Sequence, residues 1–334
     1  MWPEIIDTLI ARRDLTAEQA DGAMRAIMSG EASPGQIAAF LVALRAKGES
    51  VAEIAACARV MREVSLHVDA GIEVVDTCGT GGDRSGTVNV STMAALVVAG
   101  AGVAVAKHGN RSATSRCGSA DLLEALGVVI DLPPSGVERC ISEAGIGFCF
   151  APRFHPAMRF AGPVRRELGV PTIFNLLGPL TNPAGAKRQV VGVASESAGP
   201  KLAAALAVLG AEQAWVVRGD DGLDEVTTTT TTTVWDRDEV RSIDPASVGI
   251  APARAQDLVG GEPAVNAEAC MAVLNHEGGP VTDAVALNAA AALVVAGVAA
   301  DLTAGVAIAR ESIASGRARS VLDRLRDTSQ RVAS

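Results

Sequence analysis

DTCGTGGD, residues 76–83, follows the apolar, β-branched run IEVVDT at 72–77 and precedes NVSTMAALVVAG at 89–100. The pattern predicts a short strand over 72–77 that feeds Gly79, Gly81 and Gly82, whose backbone amides can turn inward. Asn89, Ser91 and Thr92 are candidate N-caps for a helix over 93–99, so orphan amides and the positive helix end face the space above the loop. A second apolar run, 103–106, predicts a second strand, which leads into KHGNRSATSRCGSADLLEAL at 107–126. It delivers Lys107, His108, Asn110 and Arg111, with hydroxyls on Ser112, Thr114, Ser115 and Ser119, to the same side. Two consecutive strand ends that carry amides, hydroxyls and cations supply what a polyphosphate or phosphosugar needs.

Outward from this pair, strand and helix patterns keep alternating: helix 120–126, strand 128–131, helix 137–144, strand 147–151, strand 190–194, helix 200–209 and strand 214–217. Alternation of this kind favours a largely parallel sheet with helices on its faces. The stretch before it reads as four amphipathic helices, 5–11, 16–29, 34–46 and 51–63, broken by GEASPG and AKGES. Helices at 267–275, 282–296, 304–315 and 318–325 finish the chain. The expected fold is therefore α/β: a small helical domain over 1–66 and a larger α/β domain over 70–334 with a mostly parallel central sheet flanked by helices. The proline-rich segment 153–188 interrupts the rhythm, and the seven threonines at 227–233 form the one low-complexity tract.

A chain of 334 residues with 49% hydrophobic content can bury a sizeable core in two lobes. A formal charge of -9 with no basic run argues against nucleic acid or an anionic membrane as partner, so any polyanion must be gripped locally. The six cysteines show no CxxC and no metal-ligand spacing, which predicts reduced, buried thiols. With no basic and apolar leader pattern, a cytoplasmic location is expected. Aromatic residues make up 3% and Tyr is absent, which leaves little for base stacking.

GTGGD, NVST, KHGNR and GSADLLEALG, followed by RFHPAM and NLLGPLTNPAG, closely resemble the anthranilate phosphoribosyltransferase family of tryptophan biosynthesis, from Met1 to near Leu325. Related nucleoside phosphorylases look different in the lysine segment and lack NLLGPLTNP. The resemblance implies that Gly79, Gly82, Asp83, Thr87, Asn89, Val90, Ser91 and Thr92 hold the diphosphate and ribose of 5-phosphoribosyl 1-diphosphate. It implies that Lys107, His108, Gly109, Asn110, Arg111, Ser115 and Ser119 complete the donor site. Gly79, Asn110, Arg165 and Pro179 would face anthranilate, with Arg165 on its carboxylate. Ser91, Asp224 and Glu225 would hold magnesium, two ions being expected. A segment near 165–188 would return to the helical lobe, and that lobe would form a homodimer interface.

From the residues alone, several of these positions have plainer readings. GTGGD is equally a tight strand-to-helix turn. His108 suits a general base by type, yet a histidine in a glycine-flanked turn reads better as a hydrogen-bonding wall. Asp224 and Glu225 follow RGDDGL and read as a solvated loop unless they answer the need of two phosphates for counter-charge. Asp220 and Asp221 read as loop. Arg166 competes with Arg165. The threonine run departs from the family, where Gly-Pro is usual at the positions of Thr230 and Thr231, and is expected to form a solvated strand or loop that makes no demand on the core. Two rivals remain open: a pyrimidine nucleoside phosphorylase-like enzyme, and a non-catalytic phosphosugar- or nucleic-acid-binding paralogue.

Overall fold

The computed structural model describes residues 1–112 and 115–334. Thr114, one of the hydroxyls named above, lies outside the described residues. The chain opens with α1 (Trp2–Ile10), α2 (Ala17–Ser29), α3 (Pro34–Lys47) and α4 (Val51–Glu63). The last three begin at capping boxes, Thr16 with Gln19, Ser33 with Gln36 and Ser50 with Glu53, in which side chain and backbone satisfy each other's free groups. That local chemistry stops and restarts the helices at short intervals.

The larger unit follows as β1 (Val75–Gly79), α5 (Val90–Gly100), β2 (Val105–Gly109), α6 (Ser119–Ala125), α7 (Pro134–Ala144), β3 (Ile146–Phe150) and α8 (Ala151–Phe154). Next come α9 (Met158–Leu168), α10 (Ile173–Leu177), β4 (Arg188–Gly192), α11 (Gly199–Val208), β5 (Gln213–Gly219), β6 (Thr232–Asp236) and β7 (Glu239–Ile243). The chain closes with α12 (Pro263–Leu274), α13 (Pro280–Val295), α14 (Leu302–Ala314) and α15 (Arg317–Ala333). Helices α9 and α10 pack on α2, α3 and α4.

The sheet runs β3-β2-β1-β4-β5-β6-β7. Strands β1 to β5 are parallel, and β6 and β7 add an antiparallel edge. This is the mostly parallel α/β sheet that the alternation predicts. From β1 the chain moves one way to β2 and β3, then returns to place β4 on the other flank. Such a reversal leaves a crevice at the carboxyl ends of the strands. One core packs β1 to β3 against α5, α7, α13 and α15, and a second joins the helical lobe to α11 and to β4 and β5.

Three sequence expectations need correction. Strands β1 and β2 lie two to three residues further along than read: Gly79 closes β1, and Lys107, His108 and Gly109 are inside β2 rather than beyond its end. The polar side chains are taken into the strand because backbone carbonyls of Thr77 and Gly178 and the His155 ring satisfy them. Residues 128–131 form no strand. Val128, Ile130 and Leu132 are buried as core plugs, while the Val129 amide is satisfied by Ser329 Oγ rather than by a neighbouring strand. The threonine run is not a solvated tract: Thr227, Thr228 and Thr232 are buried, and the run ends in β6.

Candidate active site

Along the crevice lies a cavity of about 770 Å³ lined by the glycine loop, the start of α5, the end of β2 with residues 110–112 and 115–119, Asp224 and Glu225, and the 151–181 segment. Every site residue named from sequence borders it except Val90, whose side chain is buried in the core and whose amide is bonded to the Val88 carbonyl at 2.8 Å. The hydrophobic face of α5 needs that side chain, so Val90 offers the cavity nothing.

In the glycine loop, Gly81 and Gly82 adopt φ of 64° and 87°, the left-handed backbone that lets successive amides face inward. The loop is pinned across the crevice: Gly81 N–H donates to Asp224 Oδ2 at 2.9 Å and Thr80 N–H to the Gly192 carbonyl at 2.9 Å. A Cβ on Gly192 would collide with the Asp224 backbone carbonyl, so only glycine at the end of β4 lets the 224 loop lie this close. Asn89 stands at the N-cap of α5, but its side chain does not cap. It donates to the Cys117 carbonyl at 3.0 Å and accepts from Asn266 at 2.8 Å, tying the helix start to the segment before α6 and to α12. The cap comes from elsewhere: Ser91 N–H donates to Glu225 Oε1 at 3.1 Å.

Asp224 and Glu225 are adjacent, set deep in the fold, and keep part of their surface toward the cavity. Burial raises the pKa of both; Asp83 pushes Asp224 further in the same direction, and Asp224 does so to Glu225. Among the described residues, the cation that opposes this rise is Lys107, which acts on Glu225. Its ammonium is buried and donates to the Thr77 carbonyl at 2.5 Å. Beneath it, buried Asp76 accepts from His108 N–H at 3.1 Å and from Asn182 Nδ2 at 2.8 Å. Burial raises the Asp76 pKa, while Lys107, Asn182 and the His108 amide hold it down.

A cluster of carboxylates with too little counter-charge is a site that a divalent cation stabilises. Among the described residues no group of three acid, histidine or cysteine side chains converges enough to enclose a metal alone. That donor set fits magnesium, which binds through one or two carboxylates and completes its shell with water and substrate phosphates.

The opposite half of the cavity has a different character. Arg165 in α9 is half-buried, with its guanidinium 5.1 Å from the centre of the Phe174 ring, and burial lowers its pKa. Among the described residues it makes no ion pair, whereas its rival Arg166 is solvent-exposed at the rim. The backbone of the facing wall is held at three consecutive carbonyls. His108 Nδ1 lies 3.2 Å from the Gly178 oxygen, Gln189 Nε2 donates to Pro179 at 3.0 Å, and Arg62 Nε donates to Leu180 at 2.6 Å.

His108 is itself buried, its Nε2 3.3 Å from that of His155. Burial first, and the neighbouring histidine second, lower its pKa to about 3; burial lowers that of His155 to about 4. Groups with pKa values this low take up a proton poorly near pH 7, which favours the reading of His108 as a hydrogen-bonding wall over that of a base. His155 is not among the site residues expected from sequence, where its one signal is a histidine beside proline in RFHPAM.

Arg111 also departs from its expected part. Its guanidinium is paired with Asp121 at 2.9 Å and doubly with Glu124, and it lies 5.7 Å from the Phe150 ring centre. It ties the residue after Asn110 to α6, so an anion would have to compete with these carboxylates for it. Arg84, which borders the glycine loop, was not named from sequence because nothing in its spacing marks it.

Two family models match the chain: the helical bundle domain of a glycosyl transferase family over residues 3–65 and the a/b domain of a glycosyl transferase family over residues 71–319. The anthranilate phosphoribosyltransferase of Chloroflexus aggregans is 54% identical over 331 residues, covering 96% of each chain. The crystal structure of anthranilate phosphoribosyltransferase from Thermus thermophilus superposes with a TM-score of 0.94 at 48% identity, covering 98% of this chain and 99% of that one. The Saccharomyces cerevisiae enzyme in complex with PRPP and Mg gives a TM-score of 0.92 at 28% identity, over 99% and 98% of the two chains. Fold, cavity and extent of match agree: the chain belongs to the anthranilate phosphoribosyltransferase family.

Proposed function

We propose that the protein transfers the phosphoribosyl group of 5-phosphoribosyl 1-diphosphate to the amine of anthranilate, releasing pyrophosphate and forming N-(5-phosphoribosyl)anthranilate. The observation that carries this reading is the division of one cavity. Inward amides, hydroxyls and an under-compensated acid pair form one half, and an arginine with no ion pair among the described residues forms the other.

On the donor side, the amides of residues 79–82 and the hydroxyls of Thr87, Ser91 and Thr92 receive the diphosphate and ribose. Thr92 Oγ1 is buried and has no partner among the described residues, as an atom reserved for a ligand would be. Lys107 stays beneath the site as a fixed positive charge. Asp224 and Glu225, with Ser91, would hold magnesium, two ions being the number we propose. The metal supplies counter-charge for the departing pyrophosphate.

On the acceptor side, Arg165 presents a planar fork that pairs with the anthranilate carboxylate, while Asn110, Gly79 and the Gly178–Pro179 wall orient the ring. The amine then attacks C1 of the ribose, and the C1–oxygen bond to pyrophosphate breaks. No protein nucleophile takes part. The transition state resembles an oxocarbenium ion, so stabilising charge on the leaving group and positioning the amine account for the rate. The attacking nitrogen becomes acidic once bonded and loses its proton to solvent, which fits the neutral histidine pair on the wall.

A nucleoside phosphorylase has no acceptor carboxylate for Arg165 to pair with. Loss of anthranilate fluorescence should require both the donor and magnesium, and thymidine or uridine with phosphate should not be consumed. Consumption of a nucleoside without anthranilate turnover would overturn the reading. We further propose a cytoplasmic homodimer that pairs through the helical lobe, where Ile10 and Val42 are exposed. Sedimentation as a monomer at micromolar concentration would contradict it.

A further inference from the structure

Asp224 and Glu225 stand on the connection between β5 and β6, which the threonine run completes. The connection is closed by Gly219 N–H to the Leu223 carbonyl at 2.9 Å and by Asp220 N–H to the Thr231 carbonyl at 2.9 Å. Within it, the alternate threonine hydroxyls turn to one side. Those of Thr227 and Thr229 donate to Asp221 Oδ2, the former at 2.7 Å, and those of Thr231 and Thr233 donate to Asp220, the latter at 3.1 Å. This is the strand period of two, carried into the loop ahead of β6.

The Asp221 carboxylate does more than accept hydroxyls. Its Oδ1 takes the Leu223 amide at 3.1 Å, and it lies against Gly219 where a Cβ would collide with it. One side chain therefore grips the backbone directly before Asp224 and, through Thr227 and Thr229, the chain two and four residues after Glu225. From the opposite side, buried Asn288 of α13 takes Val226 N–H at 2.9 Å and donates to the Val226 carbonyl at 2.8 Å. Two adjacent like charges in a poorly solvated site repel each other. A loop that carries them toward one ligand must be tied on both flanks.

We infer that Asp221, with the hydroxyls of Thr227 and Thr229, is a positioning device that sets the Asp224–Glu225 pair for the metal-loaded donor. The inference rests on the proposed metal role of that pair. It corrects the sequence reading of Asp221 as plain loop, and it gives the threonine run a task.

The test uses the full-length protein and the double variant Thr227→Val, Thr229→Val, which keeps shape and removes both hydroxyls, beside Thr227→Ser, Thr229→Ser, which restores them. Calorimetric titration with magnesium-loaded 5-phosphoribosyl 1-diphosphate should show the valine pair binding about fivefold or more weakly, the effect of losing a hydrogen bond that holds the site. The magnesium concentration for half-activation should rise in step, the anthranilate KM should stay within about twofold, and the serine pair should behave like the parent. Asp221→Ala should move donor binding further in the same direction. If it fails to fold, the threonine variants decide alone.

Unchanged donor binding in the valine pair, an equal rise in anthranilate KM, or failure of the serines to restore binding would overturn the inference. Asp224→Asn in the same titration separates the two claims. If it leaves metal-loaded donor binding unchanged, the proposed metal role fails. If it weakens binding while the valine pair does not, the positioning inference alone fails.

Discussion

Replacing Arg165 with alanine separates the two halves of the cavity. In the free protein this guanidinium is half-buried, stacked over Phe174 at 5.1 Å, and without an acidic partner among the described residues. Much of its desolvation is thus borne before the acceptor arrives, and its interaction with a carboxylate is screened less than a surface pair would be. A hydrogen bond to a charged group contributes about 1.5–3 kcal/mol. At about 1.4 kcal/mol per factor of ten, loss of one such bond raises the anthranilate KM by roughly 10- to 150-fold. Loss of the ring contact costs only about 0.5–1 kcal/mol and is offset by removal of a partly buried charge, so the fold should survive. Initial rates from anthranilate fluorescence, with each substrate varied at saturation of the other, would show the acceptor KM raised and the donor KM nearly constant. Arg165→Lys, which keeps charge without the planar fork, should fall between. Equal weakening of both substrates, or a larger effect from Arg166→Ala, would refute the assignment.

Asp224→Asn and Glu225→Gln should each remove most magnesium-dependent turnover without loss of the far-UV circular dichroism signal; near-parental activity at limiting magnesium would mean the metal lies elsewhere. Stability without ligands should fall as pH rises from the ordinary carboxylate range. Asp224 and Glu225 have raised folded pKa values, so the fold holds protons that the unfolded chain has released, and that advantage is lost as pH climbs through the folded values. Thermal melts from pH 5 to 9 would check this: Glu225→Gln should flatten the slope, and a variant as steep as the parent would count against it. Thr230→Gly with Thr231→Pro should leave kcat and the magnesium requirement within a few-fold. Thr230 is exposed, and the Thr231 hydroxyl is bonded to Asp220 rather than to Asp221. A tenfold shift in apparent magnesium affinity, about 1.4 kcal/mol, would show wider coupling than the hydrogen bonds imply.

The α/β class was legible because parallel strands buried on both faces read as short apolar runs, and the glycine loop and lysine segment announced themselves by polarity after such runs. That same rule misplaced the strand ends. Lys107 and His108 continue β2 because Asp76, Thr77 and Gly178 satisfy them from other elements, which a local reading cannot see. Residues 128–131 have the composition of a strand but pair with none, and burial alone explains their side chains. The threonine run misled in the opposite way. Its polarity suggests solvent, whereas its hydroxyls are consumed by two aspartates that sequence reading left unassigned. Arg111 shows the limit of charge as a signal, since its partners on α6 lie ten and thirteen residues away and turn a candidate anion ligand into a brace.

Crystals of the protein grown with 5-phosphoribosyl 1-diphosphate and magnesium would test the account most directly. Density for the diphosphate against the amides of residues 79–82, with metal in contact with both Asp224 and Glu225 and the Arg165 side of the cavity left open for anthranilate, is the predicted result. A diphosphate bound at Arg165 and the 151–181 wall, or metal held away from the two carboxylates, would contradict it.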